Sequence, residues 1–295
     1  MAGETSEGPL RLVLDTDIGT DVDDVLALAV LLGSPELRLA GVTTVYGDVL
    51  LRARMVRRTL VAAGAAPLPV VPGIGTPRSG ASVYWEGHEG RLMPDLEREE
   101  VDEDLDAPGL LAGASLALAI GPLTNLAEAV ETDGRRLEHV VVMGGDFAEG
   151  GRPEHNLTSD VDAAIAVFGA DLRVTAIGVD QTERVRLAAS ELDRIRDAGP
   201  LGRLLAAEVD QYWTAKGRDW NVPHDPLSVL LLAEPSLFRL ERGRVTVDPS
   251  GATAFAADPA GPHSVVVDLD VPGALEALVL RIEAAGRREA GSAAL

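Results

Sequence analysis

Five aspartates crowd into ten residues near the start of the chain, in Leu12-Val13-Leu14-Asp15-Thr16-Asp17-Ile18-Gly19-Thr20-Asp21-Val22-Asp23-Asp24, and the apolar run Val25 to Leu32 follows at once. The apolar opening reads as a buried strand and the apolar run as a helix, which leaves the aspartates in the turn between them. Carboxylates this close raise one another's pKa unless positive charge sits among them. No Lys or Arg lies between Arg11 and Arg38, so a cation is the economical answer. Oxygen ligands select a hard ion, Ca²⁺ or Mg²⁺. Helix capping alone would use one or two of these acids, not five.

The rest of the chain repeats the strand-then-helix pattern. Strands are predicted at about 10–15, 37–45, 68–71, 115–120, 140–143 and 174–180, with helices after most of them, a largely helical stretch from 191 to 232, short antiparallel strands between Arg244 and Asp270, and a last helix from about Pro272. This alternation predicts an α/β fold: a single-domain, open, largely parallel sheet with helices on both faces. Residues 1–9 read as a flexible leader, 10–286 as the domain and 287–295 as a flexible tail. Between Gly73 and Leu105 the chain is rich in Gly, Pro and charge without steady period, which reads as a functional flap. Asp15 to Asp24, Asp48, Gly121-Pro122, Gly144-Gly145 and Asp180 each follow a predicted strand. In a parallel sheet these positions meet at the carboxyl edge, where ligands bind.

Composition narrows the partners. A net charge of -21 repels nucleic acid and anionic membrane and leaves small ligands as the expected partners. The chain has no cysteine, which excludes disulfides, thiolate nucleophiles and cysteine-held metals, and its five histidines are scattered. With no signal-like start and no apolar run of membrane-spanning length, a cytoplasmic location is expected.

Asp15-x-Asp17 resembles the opening of haloacid-dehalogenase-type phosphatases, but that pattern calls for neither Asp21, Asp23 and Asp24 nor the Gly at position 19. A fuller resemblance is to the nucleoside hydrolases, the inosine-uridine preferring N-ribohydrolases. Asp15-Thr16-Asp17-Ile18-Gly19 through Asp23-Asp24 is similar to their opening motif with two extra residues in the spacer. Val42 to Asp48, Gly121-Pro122-Leu123-Thr124-Asn125, Met143-Gly144-Gly145, Glu154-His155-Asn156 and His224-Asp225-Pro226 follow in the family's order.

The resemblance implies a Rossmann-like hydrolase fold, cleavage of a ribonucleoside to ribose and free base, and a homo-oligomer, dimer or tetramer. It implies that Asp17, Asp24, Asp225 and the main-chain carbonyl of Ile120 hold Ca²⁺, with Asp17 also the general base on a metal-bound water. Asp23, Met143, Glu154 and Asn156 would hold the riboside, and Trp85 and His88 in the flap would cover it. His224, beside a metal-binding Asp, is the candidate for protonating the leaving base. Asp48 stands where many members carry Asn, so the ribose contact implied there becomes a carboxylate; the loop from Gly145 to Glu154 is shorter and lacks an Asn many members have there, and Trp85 to Gly90 matches the flap only loosely. A metal-dependent riboside-binding protein without turnover is the alternative reading; Asp15 is assigned to support behind the site and Asp21 has no assigned role.

Overall fold

A computed structural model describes residues 8–84 and 90–287. Trp85 and His88, and the outermost positions of the expected leader and tail, lie outside the described residues. Strand β1 (Leu10–Thr16), helix α1 (Asp23–Leu32), β2 (Leu37–Thr44), α2 (Val49–Ala62) and β3 (Val70–Pro72) form the first half-sheet. After a mostly irregular segment come α3 (Ala107–Ala112), β4 (Leu116–Ala119), α4 (Thr124–Glu131), β5 (His139–Met143), α5 (His155–Ser159), α6 (Val161–Gly169), β6 (Arg173–Ile177) and the single turn α7 (Val179–Thr182). The remainder comprises β7 (Leu187–Ala188), α8 (Ala189–Arg196), α9 (Gly199–Lys216), β8 (Trp220–Asn221), α10 (His224–Ala233), β9 (Phe238–Val247), β10 (Thr253–Ala257), β11 (His263–Leu269) and α11 (Val271–Gly286).

The main sheet runs β10-β9-β11-β6-β5-β4-β1-β2-β3, parallel from β11 to β3, with β9 and β10 closing one side antiparallel. Chain order reverses between β1 and β4, so the loops after those strands diverge and open a crevice at their carboxyl ends. β7 and β8 pair antiparallel in a separate two-stranded ribbon.

Alternation along β1 feeds both faces of the sheet. Leu12 and Leu14 point into a core with α1, α2 and α8 to α11, and Val13 into a second core with α3, α4 and α6. Every residue of α1 is buried, its acidic start Asp23-Asp24 as well as the apolar run Val25 to Leu32, and the helix packs against α10 and α11. Arg281 of α11 fixes that packing by reaching Glu36 (2.6 Å) and Glu234 (2.7 Å). At the end of α1 a Cβ on Gly33 would come within 1.8 Å of the Arg281 carbonyl oxygen, so only glycine fits there.

One expectation needs correction, and two helices have no counterpart among the predicted elements. Helix α3 follows the irregular segment, disguised by its Ala107-Pro108-Gly109 start, and Asp106 caps it through the Gly109 N–H. Helix α5 stands before the helix predicted between the fifth and sixth strands, which is α6, and Asp160 separates the two. The strands expected between Arg244 and Asp270 are not all antiparallel: β11 pairs parallel with β6 and joins the main sheet.

Candidate active site

The turn after β1 leaves the sheet at the crevice and delivers its aspartates at different depths. Asp15, still within the strand, is fully buried; its Oδ1 accepts from Thr43 Oγ1 (2.6 Å) and Asn125 Nδ2 (2.8 Å) while its Oδ2 has no hydrogen-bond partner among the described residues. Burial pushes its carboxyl from 3.8 up to about 7, against those hydrogen bonds. Asp15 does not line the cavity, so it is in no position to attack a phosphoryl group and the phosphatase reading of Asp15-x-Asp17 falls.

Asp17, Asp21, Asp23, Asp24, Ile120, Met143, Glu154, Asn156, His224 and Asp225 all line one cavity of about 360 Å³ at the crevice. The close approach of Gly121 to the turn explains the glycine after Ile120: a Cβ there would sit 2.7 Å from Asp17 Oδ1. Burial raises the carboxyls of Asp17, Asp23, Asp24 and Asp225, and the neighbouring acids push Asp23, Asp24 and Asp225 higher still. Burial works against Asp21 too, yet hydrogen bonding from Asp23 holds it below the usual range. Ligand oxygens of Asp21, Asp23 and Asp24 lie within 4.8 Å of one another. Asp21, without a role in the sequence reading, thus belongs to the cluster.

Buried carboxylates repelling one another beside a main-chain carbonyl make an oxygen-rich donor set that fits a hard divalent cation. Asn156 holds that carbonyl in place, its Nδ2 donating to Ile120 O (3.2 Å) and Met143 O (3.1 Å). Glu154 caps α5 by accepting from Asn156 N (2.8 Å), and it accepts from Gly145 N (3.0 Å); burial raises its carboxyl even so.

Sequence reasoning missed the cation beneath the turn. Arg52 on α2 is fully buried; its guanidinium donates to the carbonyls of Asp17, Ile18 (2.9 Å) and Tyr46 (2.6 Å) and to Thr20 Oγ1 (2.9 Å). Thr20 Oγ1 in turn lies 3.2 Å from Asp17 Oδ2. A signal existed, because Arg52 falls at helical spacing with Val56, Thr59 and Leu60 on the buried face of α2.

His224 opens α10, and its Nδ1 lies 2.7 Å from Thr182 Oγ1 of α7; burial lowers its pKa while Asp21 pulls it up. His155, exposed on α5, also lines the cavity, edge-on to Tyr46 at 6.3 Å. Arg152 lines it on the side of the shortened loop and is bound to Glu183. Asp48 is not brought there: it is exposed, caps α2 by accepting from Leu51 N (3.0 Å), and is not among the cavity-lining residues. Below the flap, Tyr46 adopts positive φ (67°) and its hydroxyl accepts from Tyr84 N (2.9 Å), which brings Tyr84 to the cavity mouth.

Comparison with known proteins points the same way. A family model described as inosine-uridine preferring nucleoside hydrolase matches residues 12–276. The chain is 28% identical over 274 residues to uridine nucleosidase 1 of Arabidopsis thaliana, covering 82% of this chain and 79% of that one. It is 30% identical over 300 residues to the non-specific ribonucleoside hydrolase RihC of Escherichia coli, covering 90% and 95%. The solved purine-preferring ribonucleoside hydrolase from Gardnerella vaginalis superposes with a TM-score of 0.79 at 27% identity, covering 94% of this chain and 99% of that one.

Proposed function

Because the chain belongs to the inosine-uridine preferring nucleoside hydrolases and is therefore an N-ribohydrolase, we propose how its own residues cleave the N-glycosidic bond of a ribonucleoside. The observation that carries the proposal is the convergence of Asp17, Asp23, Asp24 and Asp225, buried and mutually repelling, on one cavity. Asp17, Asp24, Asp225 and the Ile120 carbonyl would hold Ca²⁺, with Asp21 near enough to contribute. When bound, the ion supplies a fixed and acidified water and a hold on the ribose hydroxyls.

Asp17 takes the proton of the attacking water on a side-chain oxygen. Arg52 suits it to this work, because the guanidinium fixes the Asp17 carbonyl and, through Thr20, its carboxylate. Cleavage builds positive charge on the ribose ring, and the surrounding carboxylates stabilise that charge as it develops. Asp23 binds a ribose hydroxyl; Glu154 and Asn156 hold the sugar opposite, beside Met143. Thr182 fixes the imidazole of His224, and with the Thr182 hydroxyl donating to Nδ1, Nε2 carries the proton that the departing base takes.

The relatives' names span uridine, non-specific and purine-preferring activities, so the test needs a panel of bases. The expected result is release of reducing sugar from at least one purine or pyrimidine riboside. Chelation should abolish it, Ca²⁺ should restore it better than Mg²⁺, and Asp17→Asn should lower kcat by at least about 10²-fold. Ligand binding without sugar release across the panel would make the protein a riboside-binding one and defeat the proposal.

A further inference from the structure

Behind His224 lies a second cavity of about 300 Å³, which shares Asp21, Glu183, Tyr212 and His224 with the first. Its far wall belongs to the β7–β8 ribbon, where Ala188 pairs with Trp220 and Leu187 with Asn221. Asn221 is anchored in turn by Trp213 Nε1 (2.9 Å), so the wall is tied to α9.

The wall carries positive charge. The guanidinium carbons of Arg186 and Arg218 lie 4.3 and 4.9 Å from the centroid of the Trp220 ring. Arg218 also lies 5.2 Å from the Tyr212 ring centroid and gives one N–H to the Tyr212 hydroxyl (2.9 Å). Its Nε is buried with no hydrogen-bond partner among the described residues. Neither arginine has a carboxylate within 4.0 Å among the described residues, although the chain carries a net charge of -21 and Arg184, Arg194 and Arg196 nearby in sequence all reach acids. The two acids on the shared wall are engaged elsewhere: Asp21 accepts from Asp23 N (2.9 Å) and Glu183 is held by Arg152.

Aromatic stacking fixes the plane of a guanidinium and leaves its N–H edge for a planar, bidentate acceptor. The cavity shares His224 with the first, so a base that takes its proton from His224 meets the edge of this second cavity. We propose that this second cavity is a subsite for a base bearing a carboxylate, gripped by Arg186 and Arg218 while His224 meets the ring. The assignment rests on the riboside reading of the first cavity for its orientation.

Nicotinic acid and nicotinamide differ only in carboxylate against amide and serve as probes. Calorimetry on the full chain with metal should show nicotinic acid bound at least tenfold more tightly than nicotinamide, and Arg186→Gln with Arg218→Gln should remove the difference. Arg186→Gln alone, at an exposed position, should remove part of it without disturbing the fold. The corresponding ribosides should show the same order in kcat/KM, with the amide changed less than threefold in the double variant. Equal binding of both bases to the wild-type chain, or variants that weaken both equally, would overturn the subsite. Carboxylate-selective binding with no riboside cleaved would leave the subsite standing and defeat the hydrolase mechanism instead.

Discussion

Arg52 shows how one side chain settles a problem that the sequence poses. The five aspartates need positive charge, and part of it comes from α2, aimed at main-chain oxygens of the turn as well as at Thr20. Arg52→Met should destabilise the fold by on the order of 3 kcal/mol, since it strands buried carbonyls that a charged donor satisfied. Urea unfolding measures the loss, and a metal titration should show weaker binding; Arg52→Lys should recover only part of each, because one ammonium cannot replace a planar fork. Unchanged stability in the Met variant would remove Arg52 from this role. Asp48 permits a second test. As a helix cap, its replacement by Ala should cost about 1 kcal/mol and leave KM within twofold. A tenfold rise in KM would instead support the ribose contact that the resemblance implies. The helical spacing of Arg52 marks its place on the buried face of α2, but its acceptors, at positions 17, 18 and 46, were illegible because they converge only in the folded chain. The acidic turn was legible because it needs only local spacing.

Among the elements, the break between α5 and α6 ties distant pieces of the chain together. Asp160 is fully buried and accepts from Thr124 Oγ1 (2.6 Å), Ser79 N (2.9 Å), Arg78 N (2.6 Å) and Ala163 N (3.3 Å). One carboxylate thus joins the start of the irregular segment to α4 while capping α6. Asp160→Ala should cost about 2–3 kcal/mol, as several buried donors lose a charged acceptor. Limited proteolysis should then cut near Arg78 under conditions where the parent chain resists, and an unchanged cleavage pattern would show that the segment is held by other contacts. The strand and helix succession from β1 to β6 was readable because each element carries its own hydrophobic period. Helix α5 was not, since its five residues are too few to carry a hydrophobic period.

For the whole molecule, the acidic site makes stability depend on pH and metal together. Asp15 is raised to about 7 from 3.8, and Asp23, Asp24 and Asp225 are also raised, with burial the first cause in each. Between 3.8 and about 7 the folded chain therefore holds protons that the unfolded chain has released. Chelated protein should lose stability as pH rises through that window, with a lower Tm at pH 8 than at pH 5 read by calorimetry. Added Ca²⁺ should restore Tm most at pH 8, where the carboxylates are free to bind it. A chelated Tm that rises over the same range would refute the buried-acid account. The strand order was also beyond sequence reading at this scale, because parallel partners are chosen by contacts far apart in the chain, as between β11 and β6. The docking of α1 against α10 and α11, clamped by Arg281, has a consequence for synthesis. The helix that bears Asp23 and Asp24 leaves the ribosome early, but the two helices that cover it emerge last. Roughly 200 to 250 residues of translation separate it from them, on the order of tens of seconds at ordinary elongation rates. Throughout that interval the nascent chain presents an apolar helix with an acidic end and no finished place to bury it, which makes it a natural client for a chaperone.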